Sequence, residues 1–316
     1  MEKDYQAIFD SFTRKKISED AEIVNNYQII GRLTNIISPN DKLIKTLFNL
    51  PEHEYLDALQ HDVSIDVTEK KIRGKKVQTH FKLKGGGKIL LARPLNEFDR
   101  AVLDICISAR EEGFKAITRN WLFRMLTGGK TNQYPRQNQE TAIIESLERL
   151  MSLIEIDFSF TREQMPKYND APARFLSPIL PCKILDNAII NGQLATLIKF
   201  TDESPLMTIA RAKKQILTSP IALRHISGQN NTPSVISIKS YVVRRVLEII
   251  AHKMTPTITF ADIFNRFDID DNDKSKRQEN RKLILKIMDN LKTQGTIKSF
   301  EAIKKDKAYY SVSIHF

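Results

Sequence analysis

Apolar and polar positions along this chain follow two periods, and the places where the period changes mark out its elements. Residues 1 to about 60 follow a loose helical spacing, with Phe9, Phe12, Ile17, Ile23, Ile29 and Ile30 as the apolar positions. Ser38-Pro39-Asn40-Asp41 predicts a turn into a further helix. From Asp62 the period becomes two: Val63, Ile65 and Val67 alternate with polar residues, as do Val77, Thr79, Phe81 and Leu83. Glu69 to Lys76 between them reads as a basic hairpin tip, and Gly85-Gly86-Gly87 as a turn into Ile89-Leu90-Leu91.

The next stretch has a different layout. Asn96 is placed to cap a helix through about Glu112, with Phe98, Val102, Ile105, Cys106 and Ala109 on one face. Thr118 caps a short helix, Arg119 to Leu126, which Gly128-Gly129 ends. A third helix runs from about Arg136 to Met151, with Ile143, Ile144, Leu147, Leu150 and Met151 as its apolar side. Ile154, Ile156 and Phe158 then predict a strand, followed by 183–190 and 193–200 joined at Asn191-Gly192, a two-residue hairpin signal.

The same order returns near the C-terminus. A helix is expected from Ser240 to about His252, a short one capped by Thr259, and a long third one from Lys274 to Thr293. Strands at about 297–303 and 308–316 close the chain. The expected fold class is α+β: two winged helix-turn-helix domains in tandem, 95–200 and 237–316. An N-terminal helical and β-hairpin extension, 1–94, precedes them, and 201–236 joins them through a short helix and an exposed loop.

Charge sharpens this picture. Forty-nine Lys and Arg face thirty-eight Asp and Glu, a net charge of +11 in 316 residues. Such a surplus favours an anionic partner. Eleven basic residues less four acidic ones give +7 between Lys274 and Lys307 alone. No apolar run reaches the length of a membrane span, and the N-terminus lacks the pattern of a signal peptide. Two isolated cysteines, Cys106 and Cys182, fit a reducing compartment, so the expected location is cytoplasmic, with no membrane partner.

Three helices and a hairpin make a module whose third helix fits the major groove of duplex DNA. The N-terminal half of each third helix carries the side chains suited to base edges. These are Arg136, Gln137, Asn138 and Gln139 in the first unit and Arg277, Gln278, Asn280 and Arg281 in the second. Lys274, Lys276, Lys282, Lys298, Lys304, Lys305 and Lys307 are the expected phosphate contacts, the last three on the tip of the final hairpin. Double-stranded DNA is the expected partner.

Several strings carry a family likeness: Leu95-Asn96-Glu97-Phe98-Asp99, Ile117 to Gly128, Ile154-Glu155-Ile156-Asp157 and Tyr241-Val242-Val243-Arg244-Arg245. With the tandem layout, residues 95–316 resemble the two-winged-helix replication initiators of plasmids, and the replication-initiator-like proteins of Firmicute plasmids and integrative elements. The resemblance implies binding to repeated origin sites, monomer and dimer forms, and contact with host replication proteins. Two other functions share the pattern: a winged-helix transcriptional regulator, and a protein-binding inhibitor of a host nucleic-acid enzyme encoded on a mobile element.

Catalytic and cofactor motifs fail on their spacing. Gly128-Gly129-Lys130-Thr131 has Arg124 where a phosphate-binding loop needs its first Gly. Asp268, Asp270, Asn272 and Glu279 have the spacing of a calcium loop, but Asp273 stands where the turn needs Gly and Lys274, Lys276 and Arg277 crowd it. No His-x-His pair accompanies Tyr309 and Tyr310, so they do not read as a nickase site, and Trp121 reads as core. The expectation is no enzyme, no metal and no cofactor.

Overall fold

A computed structural model describes residues 33–38, 41–61, 64–68, 78–84, 93–128, 134–158, 174–190, 193–226, 228–305 and 308–316. The chain is a mixed α/β protein with two main apolar cores. Of the stretch expected to be helical to about residue 60, 1–32 lies outside the described residues and Leu33–Ile37 is a strand, because it pairs with a distant segment; the basic hairpin tip at 69–76, the glycines at 85–87, Asn191-Gly192 and Lys307 also lie outside the described residues.

The first core gathers more of the chain than expected. It contains Ile37, Leu43, Leu47, Phe81 and Leu83 from before residue 94, together with Val102, Leu122, Ile143, Ile154 and Met207. Strand β1 (Leu33–Ile37) pairs antiparallel with β9 (Ile216–Pro220), at the far end of the same body. Asp41 caps α1 (Lys42–Leu47) by accepting from the Ile44 N–H at 3.1 Å, and its other oxygen takes the buried ammonium of Lys213 at 3.0 Å. α2 (Glu52–His61) follows. β2 (Ile65–Thr68) and β3 (Gln78–Lys84) then join β5 (Leu153–Phe158) and β6 (Arg174–Pro178) in a four-stranded antiparallel sheet. The described part of 1–94 is therefore built into the first core rather than appended to it.

Helix α3 (Glu97–Glu111) is the centre of the molecule. Asn96 caps it through a capping box: its side chain accepts from the N–H groups of Phe98 and Asp99, and Asp99 returns a bond to the Asn96 N–H at 2.9 Å. Every residue from Glu97 to Ala109 is buried. A helix buried all round is normally apolar. Here Val102, Ile105, Cys106 and Ala109 enter the first core, while Glu97, Arg100 and Asp104 are covered by ion pairs or by packing.

Two units repeat one order of elements. In the first, α3 leads to β4 (Ala116–Thr118), α4 (Arg119–Thr127), α5 (Gln137–Leu150) and, after β5 and β6, the hairpin β7 (Cys182–Ile190) and β8 (Gln193–Phe200). In the second, α7 (Pro233–His252) leads to β10 (Thr257–Thr259), α8 (Phe260–Arg266), α9 (Lys274–Thr293), β11 (Ser299–Lys305) and β12 (Ala308–His315). The short strand pairs with the last strand in both, giving sheet orders β4-β8-β7 and β10-β12-β11. The same pair of residues ends the short strand and opens the next helix. Ile117-Thr118 and Ile258-Thr259 each bury the isoleucine, and each threonine hydroxyl accepts the helix's first bond at 3.1 Å.

The connection between the units is ordered. α6 (Pro205–Ala212) packs into the first core and leads to β9 and a 3-10 turn, Ile221–Arg224. The loop expected over 227–233 ends earlier, because Thr232 and Pro233 form a helix start and α7 begins two turns before Ser240. Gly128, left-handed at φ +104°, lies where any Cβ would sit 2.4 Å from the backbone nitrogen of His225, so the turn of the connection rests on the end of α4. α7 serves both cores, with Ile236 in the first and Ile238, Val242 and Val246 in the second.

Between α3 and α7 the contact is ionic. Arg244 of α7 donates to Asp104 at 2.9 Å and to Glu97, and Arg266 of α8 reaches the other oxygen of Glu97 at 3.1 Å. Burial alone would raise Glu97, but Arg244, Arg100 and Arg266 together hold its carboxyl below the usual range. Both cysteines are free and buried, which raises both thiols, Cys182 to about 12.

Candidate nucleic-acid interface

The N-terminal ends of α5 and α9 gather most of the polar residues singled out in the sequence. Pro135 and the extended backbone of Arg136 start α5, whose inner face buries Ile143, Leu147 and Leu150. Arg136, Gln137 and Asn138 are exposed ahead of that face. Glu140, one turn in, takes Arg119 of α4 at 2.8 Å, and Arg149 at the far end grips Asp99 of α3 through Nε and Nη2. α5 is thus fixed near both of its ends by charge-assisted contacts.

Gln139 does not belong with its three neighbours. It is buried; its Oε1 accepts from the Arg136 N–H at 2.7 Å and its Nε2 donates to the Asn231 carbonyl at 2.6 Å. At the third position of a helix an amide side chain folds back on the residue that opens it. The connection between the units takes one of its two amide N–H donors. Gln139 is withdrawn from the base-reading set for that reason. Asn231 in turn accepts from the buried ammonium of Lys239 through Oδ1 at 2.6 Å, so the start of α5 is linked to α7 through one residue. Burial, and then Arg224, hold Lys239 down to about 7.

In the second unit, Asp273 caps α9 by accepting from the Lys276 N–H at 2.9 Å. Lys274, Lys276, Gln278 and Lys282 are exposed. Arg277 and Arg281 are not extended: both guanidinium groups lie over the Phe264 ring of α8, at 4.8 and 5.2 Å from its centroid, and Arg277 also pairs with Asp271. Asn280 donates to the Lys276 carbonyl of its own helix at 2.8 Å. Of the four expected base-reading side chains here, Gln278 alone is exposed; the others are half-buried against the protein.

The last hairpin places Lys298 and Lys304 on the surface, at its base and near its tip. The backbone of Lys305 pairs with Ala308 at the turn; its side chain and all of Lys307 lie outside the described residues.

Two residues join the candidate set. Tyr134, just before α5, is 66% exposed, and the guanidinium of Arg124 from α4 lies 5.2 Å from its ring centroid. The sequence signal was present: an aromatic directly ahead of Pro135-Arg136, where a helix begins. Both hairpins expose apolar side chains: Leu185, Ile189 and Leu194 on the first, Ile303 and Tyr310 on the second.

Among the described residues no group of three His, Cys, Asp or Glu could hold a metal ion, and no helix is long and apolar enough to cross a membrane. No family model, curated protein or solved structure matches the chain. Its class rests on its own geometry: a mixed α/β protein that repeats one helix–strand–helix–helix–hairpin unit, each copy exposing the polar start of its third helix.

Proposed function

We propose that the chain is a tandem winged-helix protein that binds double-stranded DNA site-specifically, as the replication initiator of a plasmid or integrative element does. The observation that carries this reading is the double occurrence of one topology with its middle strand last in sequence, β4-β8-β7 and β10-β12-β11, beside third helices whose exposed starts are polar. In that topology the third helix is the one that enters a major groove and the hairpin lies beside it as the wing. Arg136, Gln137 and Asn138 supply base-edge donors and acceptors, while Lys274, Lys276, Lys282, Lys298 and Lys304 supply cations for the phosphates.

The two units divide the work unequally. The first carries exposed Arg136, Gln137 and Asn138 with little excess charge around them; the second carries the lysines and has its arginines folded onto Phe264. Base reading falls mainly to α5 and backbone affinity mainly to α9. Alanine at Arg136, Gln137 or Asn138 should cost about 1–3 kcal/mol on a cognate site and little on random duplex. Footprinting and titration on the DNA flanking the coding sequence make the test. Equal losses on cognate and random DNA would remove α5 from base reading.

One observation favours a protein-contact role beside this one. Leu185, Ile189 and Leu194 put an apolar surface on the first hairpin, where a wing that only met phosphate would be basic. An initiator that meets host replication proteins has use for such a surface, and so has an inhibitor of a host enzyme. Sedimentation of the Leu194→Asp variant against the parent separates a self-contact from a contact with another protein.

A further inference from the structure

The seam between α3 and α7 holds more buried positive than negative charge. Arg100, Arg224, Arg244 and Lys239 are all buried, and Arg266 reaches in from α8. The carboxylates that meet them are Glu97 and Asp104, and Arg244 and Arg266 already engage both. Arg100 and Arg224 take part in no ion pair among the described residues. Nη2 of Arg100 donates to the Ile37 carbonyl at 3.1 Å and the group lies 5.9 Å from the Phe48 ring centroid, but its Nε meets no acceptor. Nε and Nη1 of Arg224 also meet none. Burial, and after it the neighbouring Arg244, bring Arg100 down to about 10. Arg100 feels Glu97 and Asp104, and Arg224 feels Asp104, only through space; these two carboxylates thus serve the guanidinium groups of Arg100, Arg224, Arg244 and Arg266, and the seam is short of an anion.

A cavity of about 420 Å³ opens on this seam, and Arg100 is in its wall. Lys45, Arg100, Arg244, Arg245 and Arg266 bring five cationic side chains to it from α1, α3, α7 and α8. Three carboxylates face them: Glu97, Glu248 and Asp262. Glu97 is taken by Arg244 and Arg266, and Glu248 by Arg245 at 2.7 Å. Asn49 and Tyr241 add neutral polar groups. The volume lies in the range of small-molecule sites, roughly 300–1,000 Å³.

We propose that this cavity binds a small phosphate-class anion, inorganic phosphate or a phosphomonoester, with Arg100 as the buried anchor and Lys45 at the rim. A guanidinium presents paired N–H donors that match two oxygens of a tetrahedral oxyanion, and an ammonium adds charge without demanding geometry. A doubly charged ligand offsets the surplus that the protein's own carboxylates leave. The neighbouring cleft, about 650 Å³, shares Asn49, Glu97 and Arg266 and adds Phe48, Leu95 and Phe98. An organic group esterified to the phosphate therefore has apolar surface to lie against. The site uses none of the exposed residues of α5 and α9, and it stands whether or not the chain binds DNA.

The test is thermal unfolding of the full chain in increasing phosphate at constant ionic strength set with chloride. A ligand that binds only the folded state raises the midpoint along a saturating curve. Phosphate should do so, and chloride alone should not. Lys45 is exposed, so Lys45→Glu should fold as the parent does in chloride yet need about tenfold more phosphate for the same rise. Arg100→Met should lose the response altogether; if it does not fold, Lys45→Glu alone decides. Glycerol phosphate run in parallel identifies the source: saturation at lower concentration than inorganic phosphate assigns an organic ester, and equal concentrations assign the free anion. A rise that never saturates, or one that Lys45→Glu leaves unchanged, overturns the proposal.

Discussion

Arg244→Met tests how far the ion pairs of the seam between the two units are screened by water from the cavity beside them. Among the described residues Arg244 alone ion-pairs with both Glu97 and Asp104, and all three are buried. Glu97 keeps Arg266 after the change, whereas Asp104 has no other ion pair among the described residues. Removing one partner of a buried pair costs about 3–5 kcal/mol, because the charge left behind is uncompensated. Relief of repulsion on Arg100 and Arg224, both pushed down by Arg244, brings the expected loss to about 3 kcal/mol, the lower end of that range. Asp104→Asn in the same chain should return much of it, a coupling of about 2 kcal/mol in a double-mutant cycle. Urea titration with the slope checked for each variant is the assay. A pH series adds a sign. Glu97 is lowered in the folded chain, so its contribution is full above its ordinary value and is lost as pH falls through the folded one. A loss under about 1 kcal/mol, or strict additivity in the cycle, would mean that water reaches the seam and that this account of it is wrong.

Lys239 titrates near 7 when folded and above 10 when free, so its charge weakens the fold below about pH 7 and the penalty lifts as pH rises from there. Lys239→Gln should be more stable than the parent at about pH 6, by up to about 4 kcal/mol, with the gap closing toward pH 10; parallel stability curves would contradict it. Gln139→Ala removes a helix-start bond and the tie to Asn231, and should cost about 1–2 kcal/mol in chemical denaturation while raising hydrogen exchange at the start of α5. Alanine at Lys274, Lys276 and Lys282 together should lower the slope of log affinity against log salt by about 0.9 per lost phosphate contact, on cognate and random duplex alike. An unchanged slope would take α9 off the DNA.

Helix faces and helix starts were legible in the sequence because their signals are local. Asn96, Thr118 and Thr259 cap the helices they were expected to cap, and the third helices run over 137–150 and 274–293. β1 and β9 were not legible: Leu33–Ile37 finds its partner at Ile216–Pro220, far along the chain, and no hairpin turn joins the two to announce the pairing. The short strands β4 and β10 are too brief for any period to show. Thr232-Pro233 was a helix start lost against the polar loop ahead of it. The burial of the charges on α3 and α7 was not legible either. Glu97, Arg100, Asp104, Lys239 and Arg244 have the spacing of solvated faces, but the two faces meet each other, and only the tertiary contact distinguishes a wet charge from a buried one. For the same reason the sequence could nominate Arg277 and Arg281 but not foresee that Phe264 would hold them.

The sharing of α7 between two cores bears on the chain while it is being made. Synthesis delivers the N-terminal body first, yet that body takes its final pieces from β9 and from Ile236. Until Pro220 has emerged β1 has no partner strand, and until Arg244 has emerged Asp104 on the charged side of α3 has no ion pair. A product that stops short of α7 cannot persist as a tidy half-molecule competing for the same ligand: without Ile236 it displays bare apolar surface, a mark by which quality control selects chains for degradation.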